Sequence, residues 1–355
     1  MFTTVVDVET VRGHLDDPAW QVVDCRFSLA DTEQGRRAYT ESHLPDALYA
    51  HLDEDLSGPV VRGVTGRHPL PSPEKAAAIF SAWGIDENVQ VVAYDDANGS
   101  VAARLWWLLK WLGHDAVAVL DGGWKAWTQA GLPATAVVPE PMPRTFVANV
   151  RPELLMAAGA VSQMRDDPTY RLIDARTPER YRGEQEPIDP VAGHIPGAVN
   201  VPFTGNIGPD GRFLTEDALR SRFTALFGTL TTQRVVSYCG SGVTGCHNLL
   251  AIAHAGLGDG VLYAGSWSEW IADPNRPDLS ISLPFHFSGT KHRCKREPQD
   301  FATGSDRTAE GPGNFGYAHA LPVAHRRFAG PVPHPCGLNL HFHCPSKVTI
   351  FHPQR

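Results

Sequence analysis

The sequence predicts an α/β protein in which one module is used twice, each copy a parallel sheet flanked by helices, followed by a C-terminal tail of low order. Three observations predict this. Short apolar runs alternate with helical patterns, the signature of parallel strands joined by crossover helices. Four segments of the first half recur in the same order in the second, displaced by 143 to 151 residues, which marks a duplication with loop insertions. Aliphatic periodicity then vanishes after about Pro284.

The elements follow in order. Val22-Val23-Asp24-Cys25-Arg26 matches Leu172-Ile173-Asp174-Ala175-Arg176, and His43-Leu44-Pro45-Asp46-Ala47 matches His194-Ile195-Pro196-Gly197-Ala198. Val91-Val92-Ala93-Tyr94 reads as a buried strand and matches Val235-Val236-Ser237-Tyr238. Val101 to Leu112 reads as a helix, with Trp106, Trp107 and Trp111 as core residues at near-helical spacing. Val117 to Leu120 reads as the next strand. Gly123-Trp124-Lys125-Ala126-Trp127 matches Ser266-Trp267-Ser268-Glu269-Trp270. Pro133, Pro139, Pro141 and Pro143 discourage helix and predict an extended connector. The expected division is therefore a first domain over 1–135, a linker over 136–148, a second domain over 149–284 and a tail over 285–355.

Composition narrows the function classes. A length of 355 residues suits two domains, and 42% apolar with 20% charged residues suits well-formed cores. A net charge of −8 argues against nucleic-acid binding. The absence of a long apolar run argues against a membrane span, and the start Met1-Phe2-Thr3-Thr4 lacks a secretory pattern. Six cysteines are scattered rather than spaced as a disulfide framework, so a reducing, cytoplasmic setting is expected.

Chemistry concentrates at Cys239. It follows a predicted strand and opens the loop Cys239-Gly240-Ser241-Gly242-Val243-Thr244, which leads into a helical pattern from Val243 to Ala255. A sulfur there faces converging backbone N–H groups and the positive end of a helix, both of which favour a thiolate and bind an anion. In open parallel sheets ligands sit at the C-terminal strand ends, where this loop falls. Cys25, on a strand, and Cys246, inside a helix, read as small core residues. His43 and His194 read as turn residues, because both copies keep them and only one copy has the thiol. Residues Ser288 to Arg355 carry seven of sixteen histidines and three of six cysteines. Their cluster Cys336, His341, His343 and Cys344 fits no standard zinc spacing, and no metal or cofactor is expected.

These motifs together resemble the two-domain rhodanese family of sulfurtransferases over roughly Val5 to Pro284, and the Cys239–Thr244 loop is similar to that of the mercaptopyruvate sulfurtransferases. The resemblance implies two tandem rhodanese-like domains, the first catalytically empty and the second carrying a persulfide-forming Cys239. Asp95 takes the first-domain place of the cysteine. It further implies Ser241, His68 and Asp53 as catalytic partners. Arg180 is implied as the grip on the donor carboxylate, with Gly240, Gly242, Val243 and Thr244 lining the anion site. A second arginine common in mercaptopyruvate enzymes is missing, since the segment reads Glu186-Pro187-Ile188-Asp189-Pro190. The implied reaction moves sulfane sulfur from a small anionic donor, mercaptopyruvate or thiosulfate, to cyanide, a thiol or a protein thiol such as a thioredoxin-like reductant. Two other classes stand beside it. A Cys-loop phosphatase needs one more loop residue and a closing arginine, and a non-catalytic sulfur-carrier module does not need the full two-domain length.

Overall fold

A computed structural model describes residues 1–279. The first half runs β1 (Val5–Val6), α1 (Val8–Arg12), β2 (Trp20–Asp24), α2 (Gln34–Glu41), β3 (Leu48–Tyr49), α3 (Pro73–Ala82), β4 (Gln90–Tyr94), α4 (Ala102–Trp111), β5 (Val117–Leu120) and α5 (Gly123–Gln129). The second runs α6 (Ala158–Met164), β6 (Arg171–Asp174), α7 (Pro178–Arg182), β7 (Val199–Asn200), α8 (Glu216–Phe227), β8 (Val235–Tyr238), α9 (Thr244–His254), β9 (Val261–Leu262) and α10 (Ser266–Trp270). Helix starts obey local chemistry. Asp7, Ser72 and Thr215 accept hydrogen bonds from Thr10, Lys75 and Ala218 backbone N–H groups, and Pro73 begins α3 with φ already set.

Both sheets are parallel, ordered β1-β5-β4-β2-β3 and β7-β6-β8-β9. Covered on both faces, their central strands read as continuous apolar runs, and all of β4 and β8 is buried. In register, Asp24 lies beside Tyr94 and Asp174 beside Tyr238. The next residues, Asp95 and Cys239, thus leave their sheets at equivalent points.

The duplicated motifs hold the fold. Arg26 pairs with Asp24 and Arg176 with Asp174 inside each half. The Tyr94 and Tyr238 hydroxyls accept from the Leu44 and Ile195 N–H groups at 3.2 Å. His43 and His194 stack on Tyr39 and Tyr181, with ring centroids 4.0 and 3.8 Å apart, and bond to those residues' carbonyls. The Trp127 and Trp270 indoles donate to the Pro133 and Pro277 carbonyls. These contacts are what the duplicated segments preserve.

The two halves meet through α4 and α9, and one hydrophobic cluster runs through both. The helix expected over Val101–Leu112 is present one residue shorter at each end. Every residue of α4 is buried, because the sheet covers one side and α9 the other. Trp106, Trp107 and Trp111 are core as expected. Arg104 and Lys110 are buried with them, and Lys110 reaches Asp259 of the second half at 2.7 Å. The proline-rich connector is extended and pinned to the first half. Thr135 and His43 exchange two backbone hydrogen bonds, Arg144 N–H donates to the Ser81 carbonyl, and Phe146 is buried. No helix among the described residues is long and apolar enough to cross a membrane. The tail expected over 285–355, with its Cys336, His341, His343 and Cys344 cluster, lies outside the described residues.

Candidate active site

Cys239 leaves β8 and the chain turns tightly before α9 begins at Thr244. Gly242 makes the turn. It has φ +81°, and a Cβ there would stand 2.2 Å from the Ala264 carbonyl oxygen, so only glycine fits. The loop is pinned from behind by the start of α10. Ser266 Oγ accepts the Cys239 N–H at 3.0 Å, and the Trp267 and Ser268 N–H groups donate to the Cys239 and Gly240 carbonyls at 3.0 and 2.9 Å. The second copy of the Trp-x-x-Trp segment therefore positions the cysteine as well as closing the fold.

Cys239 is buried at the base of a cleft of about 240 Å³. Burial pushes its thiol up, but the Thr244 hydroxyl and the Ser241, Gly245 and Gly242 N–H groups outweigh burial, and the net effect is a thiol more acidic than usual. Gly242 N–H reaches the sulfur at 3.2 Å. Burial raises the other two described thiols, Cys25 well above its ordinary value and Cys246 to about 12. At Cys246 burial outweighs the opposing Arg104 guanidinium, and both residues keep the burial expected of core positions.

The other expected residues come from both halves. His68 Nδ1 lies 2.7 Å from Ser241 Oγ, and His68 Nε2 lies 3.1 Å from Asp53 Oδ1. Burial, with the charges of Arg104 and Arg67, pushes the His68 imidazole down to about 3, so it is neutral at physiological pH. The carboxylate fixes a proton on Nε2, and Nδ1 then accepts from the Ser241 hydroxyl. The Asp53 carboxyl is raised by burial, with His51 opposing. Arg180, in the last turn of α7, lines the cleft. Its Nε and Nη2 are held by Glu186, and Nη2 also reaches Asp189 at 3.1 Å. Val243 and Thr244 complete the wall.

In the first half the equivalent cradle is filled by the chain itself. Asp95 Oδ1 accepts from the Ala97 and Gly99 N–H groups, and Oδ2 from those of Val101 and Ala102, all within 2.9 Å. A carboxylate thus sits where an anion would bind, and that copy offers neither a thiol nor a vacant anion site.

A family profile described as rhodanese-like domain matches residues 7–130 and again 157–273. The chain belongs to the rhodanese-like family. It is 50% identical to a probable 3-mercaptopyruvate sulfurtransferase of Pseudomonas aeruginosa, over 77% of this chain and 96% of that one. It is 34% identical to a thiosulfate sulfurtransferase of Bos taurus, over 74% and 88%. Among solved structures, the 3-mercaptopyruvate sulfurtransferase of Leishmania major matches with a TM-score of 0.68 at 31% identity, over 78% of this chain and 75% of that one. That of Escherichia coli matches with 0.65 at 30%, over 76% and 100%.

In this rhodanese-like chain, sequence reasoning missed two cations, Arg67 and Arg104, and two acids, Glu186 and Asp189, around the cleft. Arg67 stands beside His68 in the chain. Its Nη1 pairs with Asp189, and its Nη2 lies 2.8 Å from where a Cβ on Gly240 would be. Arg180 nitrogens lie 3.5 and 3.6 Å from the same point. The two guanidiniums therefore close over Gly240, and the bare glycine lets them approach. Adjacency to the expected histidine was the one signal that marked Arg67. Arg104, fully buried on α4, donates to the Gly242 carbonyl of the cysteine loop at 2.9 Å and to the His68 and Leu56 carbonyls at 3.1 and 3.3 Å. Nothing in its helical context distinguishes it from a surface arginine. One further cluster, Glu33, His51 and Glu54, has metal-like proximity. Its histidine is already engaged, with Nε2 on the Thr32 carbonyl and Nδ1 accepting from the Asp53 and Glu54 N–H groups, and Arg36 pairs with both glutamates.

Proposed function

We propose that this chain is a sulfurtransferase that takes sulfur from 3-mercaptopyruvate onto Cys239 and passes it to a thiol, cyanide or protein-thiol acceptor. The observation that carries the reading is the Asp53–His68–Ser241 chain of hydrogen bonds ending beside Cys239. A donor that loses its sulfur from carbon leaves an enolate and needs a proton moved, whereas thiosulfate leaves sulfite and needs none.

The Cys239 thiolate attacks the donor sulfur, a sulfur–sulfur bond forms, and the carbon–sulfur bond breaks towards the enolate of pyruvate. The proton first held by the donor thiol returns to the methylene carbon, so pyruvate and an anionic persulfide are the products. Ser241, oriented by a neutral His68, presents its hydroxyl oxygen for that transfer. Arg180 and Arg67 hold the donor carboxylate through charge-assisted forks. The Thr244 hydroxyl and the N–H groups of Ser241, Gly242 and Gly245 stabilise negative charge at the sulfur. The acceptor then attacks the outer sulfur and Cys239 leaves as thiolate, a cycle that suits a reducing, cytoplasmic compartment and a thioredoxin-like thiol among its acceptors.

Steady-state kinetics with both donors and cyanide as acceptor test the reading. Mercaptopyruvate should give the higher kcat/KM, and Ser241→Ala should lower kcat for mercaptopyruvate far more than for thiosulfate. Equal losses for both donors, or a preference for thiosulfate, would remove the argument from the proton relay.

A further inference from the structure

The Glu186–Pro190 segment lacks a guanidinium and places two buried acids against the arginines of the cleft instead. Asp189 is 3% exposed and holds Arg67 through Oδ1 and Arg180 through Oδ2. Glu186, 4% exposed, holds Arg180 at 2.7 Å and also touches Arg176 at 3.3 Å, which is otherwise committed to Asp174. The salt-bridged cluster beside the donor position joins the cations Arg67, Arg176 and Arg180 to the acids Asp174, Glu186 and Asp189, while Arg104 lies apart, behind the cysteine loop. The cluster is neutral as a whole, although two guanidiniums face the cleft. Ile188, from the same segment, lines the cleft with an apolar side chain.

We infer that Asp189, shared between Arg67 and Arg180, is a specificity-determining residue that tunes the cleft to a singly charged donor with a neutral, partly apolar flank over a doubly charged one. The reason is electrostatic. A donor enters a field already offset by two buried acids, so its first negative charge gains from the directed forks, and a second charge meets Asp189 with no further cation lining the cleft to balance it. The inference rests on the sulfur-donor reading of the cleft and specifies the donor's charge class.

Asp189→Asn keeps shape and removes one negative charge. At about 6 Å and an effective dielectric of about 40, each ligand charge gains about tenfold in affinity, so a monoanion gains about tenfold and a dianion about a hundredfold. The readout is the inhibition constant of pyruvate against that of sulfate at fixed ionic strength, together with kcat/KM for mercaptopyruvate against thiosulfate. The wild type should bind pyruvate more tightly than sulfate, and the variant should shift both ratios about tenfold towards the dianion. Glu186→Gln should move them in the same direction and serves if the first variant folds poorly. Equal improvement for both anions would mean that Asp189 is merely a placeholder displaced by any anion, and would overturn the inference. Tighter sulfate than pyruvate binding by the wild type would overturn it without any variant. If neither donor is turned over, the sulfur-transfer reading fails, while calorimetric binding of the two anions still decides the charge rule.

Discussion

Replacing Arg104 with methionine should make Cys239 a weaker acid and loosen its loop, although Arg104 belongs to the half whose cradle holds Asp95 in place of a cysteine. The guanidinium is fully buried and pairs with no carboxylate. It is joined to the sulfur through one residue, since Arg104 donates to the Gly242 carbonyl and the Gly242 N–H donates to Cys239. That path puts the charge within about 9 Å of the sulfur, given ordinary peptide dimensions. At an effective dielectric of about 20, a unit charge at that range stabilises a thiolate by about 2 kcal/mol, or about one pKa unit. The thiolate should therefore need a higher pH to form in Arg104→Met. The assay is the pH dependence of alkylation by iodoacetamide. Cys239 dominates it, because burial raises the Cys25 and Cys246 thiols. The midpoint should move up by about one unit in Arg104→Met and by much less in Arg104→Lys, which keeps the charge. Folding should weaken in both variants, because the His68, Leu56 and Gly242 carbonyls lose a shared forked donor at about 1–3 kcal/mol each, offset in Arg104→Met alone by relief of a buried charge. An unchanged alkylation midpoint in a folded Arg104→Met protein would refute the electrostatic coupling and leave Arg104 a purely structural tie.

Cys239→Ser should abolish sulfur transfer with little change in melting temperature, and mass spectrometry of donor-treated wild type should find the added sulfur on Cys239 and none on Cys25 or Cys246. Asp95→Asn should cost about 3 kcal/mol in urea titration, because an amide NH₂ is turned against backbone donors in a buried cradle that now satisfies both carboxylate oxygens; an unchanged midpoint would mean that the loop rearranges freely. Stability should also fall on acidification. His68 and His247 are pushed down to about 3 and about 4 by burial, so below pH ~6.5 the unfolded chain binds protons that the folded chain refuses, at up to about 1.4 kcal/mol per histidine per pH unit. The melting temperature should drop between pH 7 and pH 5, and the drop should be smaller in His68→Gln; equal slopes would show that His68 is not the group refusing the proton.

The fold and the candidate nucleophile were legible in the sequence because both are written locally. Strand-helix alternation and the matched segments predicted two parallel sheets, since periodicity and turn chemistry act over a few neighbours. The loop after Tyr238 marked Cys239 because a thiol that follows a strand and precedes a helix lies at the strand end wherever that sheet sits. The expected His68 and Asp53 came only by resemblance, and the structure brings them to Ser241 across the domain boundary. Tertiary structure alone decided the electrostatics. Arg67, Arg104, Glu186 and Asp189 lie 50 to 172 residues from Cys239 in the chain, and their effect depends on which charges burial strips of water and which carboxylate each guanidinium meets. Coulomb energies follow distance and dielectric, and neither is encoded at the residue that feels them. The duplication could be read directly, but the way the first half brings His68, Arg104 and Arg67 to the cysteine loop of the other required the packing of the two halves.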